Sequence, residues 1–317
     1  MEKIAYIDNR PFAIEPGETI LQFVRRNSGH DVIPTLCQAE NLDNYGSCRI
    51  CSVEVALKEG GPGKVMASCH TPVAPGYYVY PSTDRIRRLR KNILELVLSE
   101  YPPERLIPEP GMLPTEFQTV VAAAGSPEVR YHRNVTHHEK DRSRPYVWSD
   151  LTECIKCYRC VRACDELQAE HVLGIYGRGD DSRIIKGFDQ SFRDSPCVSC
   201  GACVQTCPTN ALHDRYSVKT LKADRIVRTT CTYCGVGCNL DVKVADGQVR
   251  GIQAPLDSAT NRGHTCVKGR YAFEFYNHPE RLRSPMVRKN GELKEVSWDE
   301  AYEYTAKRFR EIKDKYG

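Results

Sequence analysis

The sequence contains two matching cysteine runs, Cys154-x-x-Cys157-x-x-Cys160-x-x-x-Cys164 and Cys197-x-x-Cys200-x-x-Cys203-x-x-x-Cys207-Pro208. This spacing is typical of proteins that hold two 4Fe–4S clusters. The short gaps let three thiolates bind three corners of one cubane, and the turn that follows carries the fourth cysteine to the other cluster. We therefore predict one cluster on Cys154, Cys157, Cys160 and Cys207, and another on Cys197, Cys200, Cys203 and Cys164. A structural zinc site is the alternative for cysteines in this pattern.

The composition of the chain fits metal binding in a reducing compartment. It has 317 residues and 16 cysteines, and it opens directly into a strand-like pattern without the apolar core of a signal peptide. Metal ligation in the cytoplasm therefore explains the cysteines better than disulfides do. No run of about 18 apolar residues is present to span a membrane. The formal net charge of +4 is no signature of nucleic-acid binding, and four oxidised clusters would change it to about −4.

Residues 1–80 are predicted to form a small mixed domain. A hairpin with its turn at Asn9-Arg10 precedes an amphipathic helix that Pro16-Gly17-Glu18-Thr19 opens. The buried face of that helix consists of Ile20, Leu21, Phe23 and Val24. The predicted strands cover residues 3–7, 11–14, 51–57, 64–69 and 77–80.

Four cysteines of this domain form a third set. Cys48 and Cys51 are a close pair that follows Gly46 and Ser47, whose small side chains let backbone N–H groups reach cluster sulfurs. The pattern resembles the β-grasp 2Fe–2S domain at the head of the large iron–sulfur subunit of respiratory complex I, and of related hydrogenases and formate dehydrogenases. The resemblance implies one 2Fe–2S cluster, with a zinc site as the alternative. The ligands would be Cys37, Cys48, Cys51 and Cys69.

Residues 81–145 are predicted to form a helical linker domain. A helix over 82–100 is capped by Ser82 or Thr83, and a short helix covers 115–124. The apolar stripe of the first helix is Ile86, Leu89, Ile93, Leu96 and Val97. In the resembled family a cluster bound by one His and three Cys follows, but here no cysteine lies between Cys69 and Cys154, so we expect that cluster to be missing. The remaining histidines, His132, His137 and His138, are read as part of a solvated loop, and 137–144 as a charged linker.

The two cysteine runs lie in a predicted ferredoxin domain, residues 146–215. Strands are expected between the runs at 172–176 and 183–185. Asp165 follows Cys164 where bacterial ferredoxins have Pro, but residues 160–166 remain similar to the version in the complex I family.

The last four cysteines are predicted to bind a third 4Fe–4S cluster. They are Cys231, Cys234, Cys238 and Cys266, in a domain of residues 216–283 with strands at 226–229, 240–244 and 249–253. This domain resembles the N-terminal 4Fe–4S domain of molybdopterin oxidoreductases, especially formate dehydrogenases. In that family a lysine at the position of Lys268 lies between cluster and pterin, which implies a cofactor-binding role; a solvated surface lysine is the alternative.

The final segment, residues 284–317, resembles the start of the pterin-binding body of the same family. Ser297 is expected to cap its helix, with Glu300 completing a capping box. The helix has a partial apolar stripe: Ala301, Tyr304, Phe309 and Ile312. The molybdenum ligand of the family has no counterpart in this sequence, and we expect no molybdopterin within the chain.

Together these patterns predict a multidomain α+β protein that carries one 2Fe–2S and three 4Fe–4S clusters. All sixteen cysteines are assigned, and neither a dinucleotide fingerprint nor a P-loop is found, so no catalytic residue is predicted. We expect an electron-relay subunit of a cytoplasmic NAD(P)H-linked complex, similar to an electron-bifurcating transhydrogenase. The resemblance implies a flavin-containing NAD(P)H diaphorase as partner, with a small 2Fe–2S subunit and ferredoxin as further candidates.

Two other functions are compatible with the sequence. The chain could be the N-terminal electron-transfer part of a molybdenum or tungsten NAD(P)-dependent formate dehydrogenase, because its end resembles the pterin domain. It could also be a zinc-stapled interaction protein, because zinc accepts the same thiolate ligands.

Overall fold

The computed structural model describes residues 3–317 and divides into two compact units, one ending at Ala272 and the other spanning Phe273–Gly317. Both units combine helices with small sheets, which confirms the predicted multidomain α+β class. In the described part of the chain, no helix has the length and apolar character needed to cross a bilayer.

The N-terminal region is built on a five-stranded mixed sheet. Its strands are β1 (Ile4–Ile7), β2 (Arg10–Ala13), β3 (Ser52–Ala56), β4 (Lys64–Ala67) and β5 (Tyr78–Tyr80), in the order β2-β1-β5-β3-β4. Only the β1–β5 pair is parallel. Helix α1 (Ile20–Ser28) begins after a Thr19–Gln22 capping box, and its four predicted apolar residues are buried in one core with the sheet. This is the predicted β-grasp arrangement.

The first hairpin turns one residue earlier than predicted. Arg10 pairs with Ile7 inside the ladder, so the turn consists of Asp8 and Asn9. Both have positive φ, 45° and 69°. A two-residue loop that follows the twist of its strands requires two left-handed residues, and Asp and Asn tolerate that conformation.

Two helices form the linker region: α2 (Asp84–Ser99), capped by Thr83, and α3 (Glu116–Ala123), capped by Thr115. The predicted stripe of α2 is partly wrong, because Leu96 is 52% exposed whereas Leu94 and Leu98 are buried. The buried side includes the carboxylate of Glu95, which Arg130 reaches at 2.5 Å, and this ion pair accounts for a polar residue on that face. The core beneath α2 also contains Leu36 and Ile50 beside the cysteine loop of the first domain.

The ferredoxin region consists of short elements around its cysteines. They are β6 (Val147–Ser149), α4 (Arg159–Arg162), β7 (Leu173–Tyr176), β8 (Arg183–Lys186), α5 (Ala202–Thr206) and β9 (Leu212–Asp214). The β7–β8 hairpin was predicted. The antiparallel pairing of β6 with β9, which joins the two ends of the region, was not.

A three-stranded antiparallel sheet carries the last cysteines. It consists of β10 (Arg225–Thr230), β11 (Asn239–Ala245) and β12 (Gln248–Gln253), as predicted, with the expected turn at Asp246-Gly247. Helix α6 (Val267–Tyr271) follows directly after Cys266.

The second unit contains α7 (Glu274–Asn277), the hairpin of β13 (Met286–Lys289) with β14 (Glu292–Glu295), and α8 (Trp298–Tyr316). The backbone N–H of Glu300 donates to the hydroxyl of Ser297, as predicted for the helix start, but the carboxylate of Glu300 pairs with Lys289 instead of completing the capping box. None of the residues of α8 is buried, so the predicted stripe lies uncovered in the described residues.

Asp141 anchors the charged segment 137–144 to the ferredoxin region. Its backbone exchanges two hydrogen bonds with Ser149. One carboxylate oxygen accepts from the N–H of Phe192 at 2.7 Å and lies 2.9 Å from the ammonium group of Lys186. The other oxygen accepts from the hydroxyl and N–H of Ser143 at 2.6 and 3.0 Å. Burial acts to raise the pKa of Asp141, but these hydrogen bonds outweigh it and lower the pKa to about 2.

Replacing Asp141 with Asn should therefore lower stability in a pH-dependent way. The pKa of the folded state lies below the unfolded value of about 4, so the carboxylate stabilises the fold above that pH, and its contribution disappears as the pH falls toward about 2. We expect a loss of about 1 kcal/mol at pH 7, since solvent screens part of the interaction. Thermal unfolding of wild type and Asp141→Asn should show a gap in Tm that narrows below pH 4. The exposed Asp180→Asn serves as control, and a gap independent of pH would contradict the prediction.

Candidate iron–sulfur sites

Four cysteines line one small, largely apolar cavity in the ferredoxin region. Cys154, Cys157 and Cys160 come from the first run and Cys207 from the second. Burial raises the pKa of Cys154 to about 11 and that of Cys157 to about 12, and it raises the pKa of Cys160 well above its usual value. These thiols consequently keep their protons unless a cation takes their place. The irons of a cluster would supply that positive charge, so the residues fit a cubane.

The other cysteines of this region form the complementary group. Burial raises the pKa of Cys197, Cys200 and Cys203, and the nearby charge of Cys164 raises it further in each case. The structure thus brings together the two crossed sets on which the predicted ligation depends.

The two runs adopt the same backbone conformation. In each, the second residue after the first cysteine has a positive φ, 52° at Lys156 and 54° at Ser199. This conformation aims its N–H at the sulfur of that cysteine, at 3.4 Å in both runs. The residue after the second cysteine is also left-handed: Tyr158 in one run and Gly201 in the other. Such N–H···S bonds stabilise a bound cluster and tune its potential.

The cysteines of the N-terminal domain are arranged as two pairs. A hydrogen bond from Cys48 lowers the pKa of Cys37 to about 5, and one from Cys69 lowers the pKa of Cys51 to about 6. The backbone N–H of Cys48 also donates to the sulfur of Cys37 at 3.4 Å. A 2Fe–2S cluster has two irons and four cysteine ligands, and two thiol pairs match that stoichiometry.

The fourth set lies at the surface of its unit. Cys231 is buried, Cys238 is half-buried, and Cys234 and Cys266 are exposed. Burial raises the pKa of Cys238, and the charges of the other three raise it further, which places all four side chains near one another. Lys268 lies in α6, two residues after Cys266, and is exposed. Its role toward a pterin stays a prediction.

No group of three or more His, Cys, Asp or Glu side chains within residues 3–317 is placed to hold a single metal ion. A zinc ion needs its ligands around one point, whereas a cluster distributes them over several irons. In the loop after α3, His132 and His137 are exposed and His138 is half-buried, in keeping with the predicted solvated loop.

Two arginines that lie among the cysteine sets, one buried and one half-buried, were not predicted from the sequence. Arg159, only 4% exposed, donates from two nitrogens to the carboxylate of Glu116 at 2.6 Å each. Arg90 donates to the carbonyl oxygens of Ile50 and Ser52, on either side of Cys51. Burial lowers the pKa of Arg90 to about 10, so it still carries its charge at neutral pH. The spacing held one usable signal, since Arg159 lies between two predicted ligands and cannot be far from a cluster.

Comparisons with protein families assign a type to each region. Residues 4–84 match the 2Fe-2S iron-sulfur cluster binding domain, and residues 144–213 match the ferredoxin-like domain of NADH-quinone oxidoreductase subunit 3. Residues 224–278 match the molybdopterin oxidoreductase Fe4S4 domain, and residues 281–317 match the molybdopterin oxidoreductase family. The zinc alternative finds no support among these matches.

Similar proteins point in the same direction. A "Putative formate dehydrogenase" of Staphylococcus haemolyticus is 29% identical over 99% of this chain and 35% of its own length. A Staphylococcus aureus protein of the same name has the same identity and coverage. The chain thus spans about a third of the length of the curated relatives it matches. A solved structure of NAD+-reducing [NiFe]-hydrogenase contains a chain that is 26% identical, with a TM-score of 0.57 over 68% of this chain and 88% of that one.

The domains that match in sequence are therefore the ones whose cysteines the structure groups together. The chain thus combines a 2Fe–2S binding domain with 4Fe–4S binding domains of the ferredoxin and molybdopterin oxidoreductase types, and it is similar to domains of NADH-quinone oxidoreductase, to proteins named formate dehydrogenase and to a chain of NAD+-reducing hydrogenase.

Proposed function

We propose that the chain is a relay that passes single electrons along one 2Fe–2S and three 4Fe–4S clusters. The observation that carries this proposal is the cavity lined by Cys154, Cys157, Cys160 and Cys207, because its thiols come from both runs as crossed cubane ligation requires. When bound, each cluster accepts and releases one electron. The protein supplies the ligands, the N–H···S bonds and a dry surrounding that together set the potentials.

The partners follow from the same proposal. One end of the proposed cluster relay exchanges electrons with a flavin-containing NAD(P)H diaphorase, because a flavin converts two-electron steps into one-electron steps. Support comes from the matches to a NADH-quinone oxidoreductase domain and to a chain of an NAD+-reducing hydrogenase. The other end serves ferredoxin or a second redox subunit, as in an electron-bifurcating transhydrogenase, in the cytoplasm.

A second candidate is the electron-transfer part of a molybdenum or tungsten formate dehydrogenase. Two observations favour it: the match of residues 281–317 to the molybdopterin oxidoreductase family, and relatives named formate dehydrogenases of which this chain covers 35%. In that case the fourth set is the cluster nearest the pterin, and the exposed Lys268 is the residue that would contact it.

Metal analysis should distinguish these functions. We expect about 14 irons per chain after anaerobic purification, the sum for the four predicted clusters, and visible absorption that bleaches on reduction. About 18 irons would mean that a further cluster is bound outside the four sets. Stoichiometric molybdenum or tungsten in the complex, with bleaching by formate, would favour the second candidate. Zinc in place of iron would contradict both.

Single replacements should reveal the crossed ligation. Because Cys207 is predicted to bind the cluster of the first run, Cys207→Ser should alter the same EPR signal as Cys154→Ser. By the same reasoning, Cys164→Ser and Cys200→Ser should share a second signal. Each change should remove about four irons or convert the cubane, and a Cys200→Ser change should also interrupt reduction of clusters beyond it. Val198→Ala, at an exposed position directly after Cys197, is the matched control. Pairing within each run instead of between runs would contradict the assignment.

A further inference from the structure

Arg270 connects the domain of the fourth cysteine set to the second cysteine run, residues 197–207. It lies in α6, four residues after Cys266, and is 1% exposed. Its Nε donates to the carbonyl oxygen of Cys200 at 2.8 Å, and its Nη1 donates to the side chain of Gln205 at 2.7 Å. The carboxylate of Asp214, which is equally buried, interacts electrostatically with Arg270 and lowers the cost of the buried cation.

The second run is shaped to receive this arginine. A side-chain carbon at Gly201 would lie 2.5 Å from Cδ of Arg270 and would also collide with the hydroxyl of Tyr271. The first run has Tyr158 at the equivalent place with the same backbone conformation, so the turn itself does not require glycine. Tyr271 stacks on Tyr146 of the ferredoxin region, with ring centroids 4.8 Å apart. Close approach of α6 therefore explains the glycine.

Arg162 forms an equivalent connection to the N-terminal domain. It lies two residues before Cys164 and is 8% exposed. Its Nη1 donates to the carbonyl oxygen of Cys37 at 2.9 Å, and its Nη2 donates to that of Asp43 at 2.6 Å. Glu166 accepts from Arg162 at 3.1 Å and from the N–H of Asp43 at 2.7 Å, which closes the contact on both sides.

Both connections reach the same cysteine set. Arg162 lies two residues from both Cys164 and Cys160, and Arg270 binds the carbonyl of Cys200. The side chains of Leu42 and Ala39, in the 2Fe–2S loop, also pack in one cluster with those of Cys200 and its neighbours. The set of Cys164, Cys197, Cys200 and Cys203 is therefore connected to the N-terminal region through Arg162 and Leu42, and to the fourth set through Arg270.

We propose that Arg162 and Arg270 are positioning residues that make this set the junction of the relay. Each fixes the contact between neighbouring sets, and each places a permanent positive charge beside the junction cubane, which favours its reduced form. In each step the donor cluster loses one electron and the acceptor gains it, with no bond or proton changing place. The inference rests on the proposed function, since it assumes that the cysteine sets bind clusters.

EPR-monitored redox titration of the anaerobically purified chain tests the proposal, with Cys200→Ser identifying the junction signal. In Arg270→Met the junction cubane should shift to a more negative potential. The equilibrium constant for its reduction should fall about tenfold, the effect of a unit charge at ~10 Å with an effective dielectric constant of ~20. The magnetic broadening between this cubane and the fourth cluster should also be lost. Arg162→Met should shift the same signal but instead lose the broadening by the 2Fe–2S cluster.

Two further variants complete the test. Arg270→Lys retains the positive charge but not the planar guanidinium group, so the potential of the junction cubane should stay close to the wild-type value while the broadening falls. If Arg270→Met binds less iron than wild type, the result for Arg270→Lys decides the test. Arg228→Met removes an exposed arginine of β10 that pairs with Asp241 and Asp257, and it should change neither the potential nor the broadening. Full iron content with unchanged potential and broadening in the Arg270 and Arg162 variants would overturn the inference alone. A wild-type chain without iron would overturn the proposed function and the inference together.

Discussion

The negative charge that is buried with the cysteine sets must be compensated, and the structure depends on this compensation. A cubane bound by four thiolates carries about −2, and the interior around Cys160 and Cys203 offers little water to screen it. Without metal, the thiols respond by retaining their protons, as the raised pKa values in both ferredoxin sets indicate. Cluster binding and proton release are therefore linked, and the fold is completed electrostatically only when the irons are present. The arginines around the sets and the backbone N–H groups aimed at the sulfurs serve the same requirement.

This constraint also explains local backbone features that would otherwise look costly. Lys156, Tyr158 and Ser199 all adopt left-handed conformations, which side chains other than glycine seldom occupy. Two of the three turn an N–H toward a cysteine sulfur. Strain of this kind persists where a surrounding structure determines it, and here it is shared by two runs with different sequences. The common feature is the cysteine spacing, which indicates that ligand geometry sets the backbone.

Sequence patterns predicted the elements with strong periodicity or clear turn signals. Helix α1, the β10–β12 sheet and the Ser297 cap follow from the pattern alone. The β6–β9 pair escaped prediction because strands of three residues are too short to show a period. The prediction that Leu96 is buried was wrong because Glu95 lies on the buried side of α2, where it forms an ion pair with Arg130. The grouping of Cys207 with the first run was predictable, whereas the buried positions of Arg162 and Arg270 were not, since arginine is rarely buried without partners that only the fold brings together.

The connections between domains use charge where many proteins use apolar surface. Arg162 and Arg270 each satisfy carbonyl groups in the neighbouring domain, and each is almost completely removed from water. A buried cation is costly unless negative charge lies close by, and carboxylates supply only part of that charge here. The clusters would supply the rest, because the arginines lie beside cysteines of the sets that they connect. Under the proposed relay function, docking of the domains and loading of the clusters would stabilise each other, and an incompletely loaded chain would be held together less firmly at the contacts between the proposed clusters.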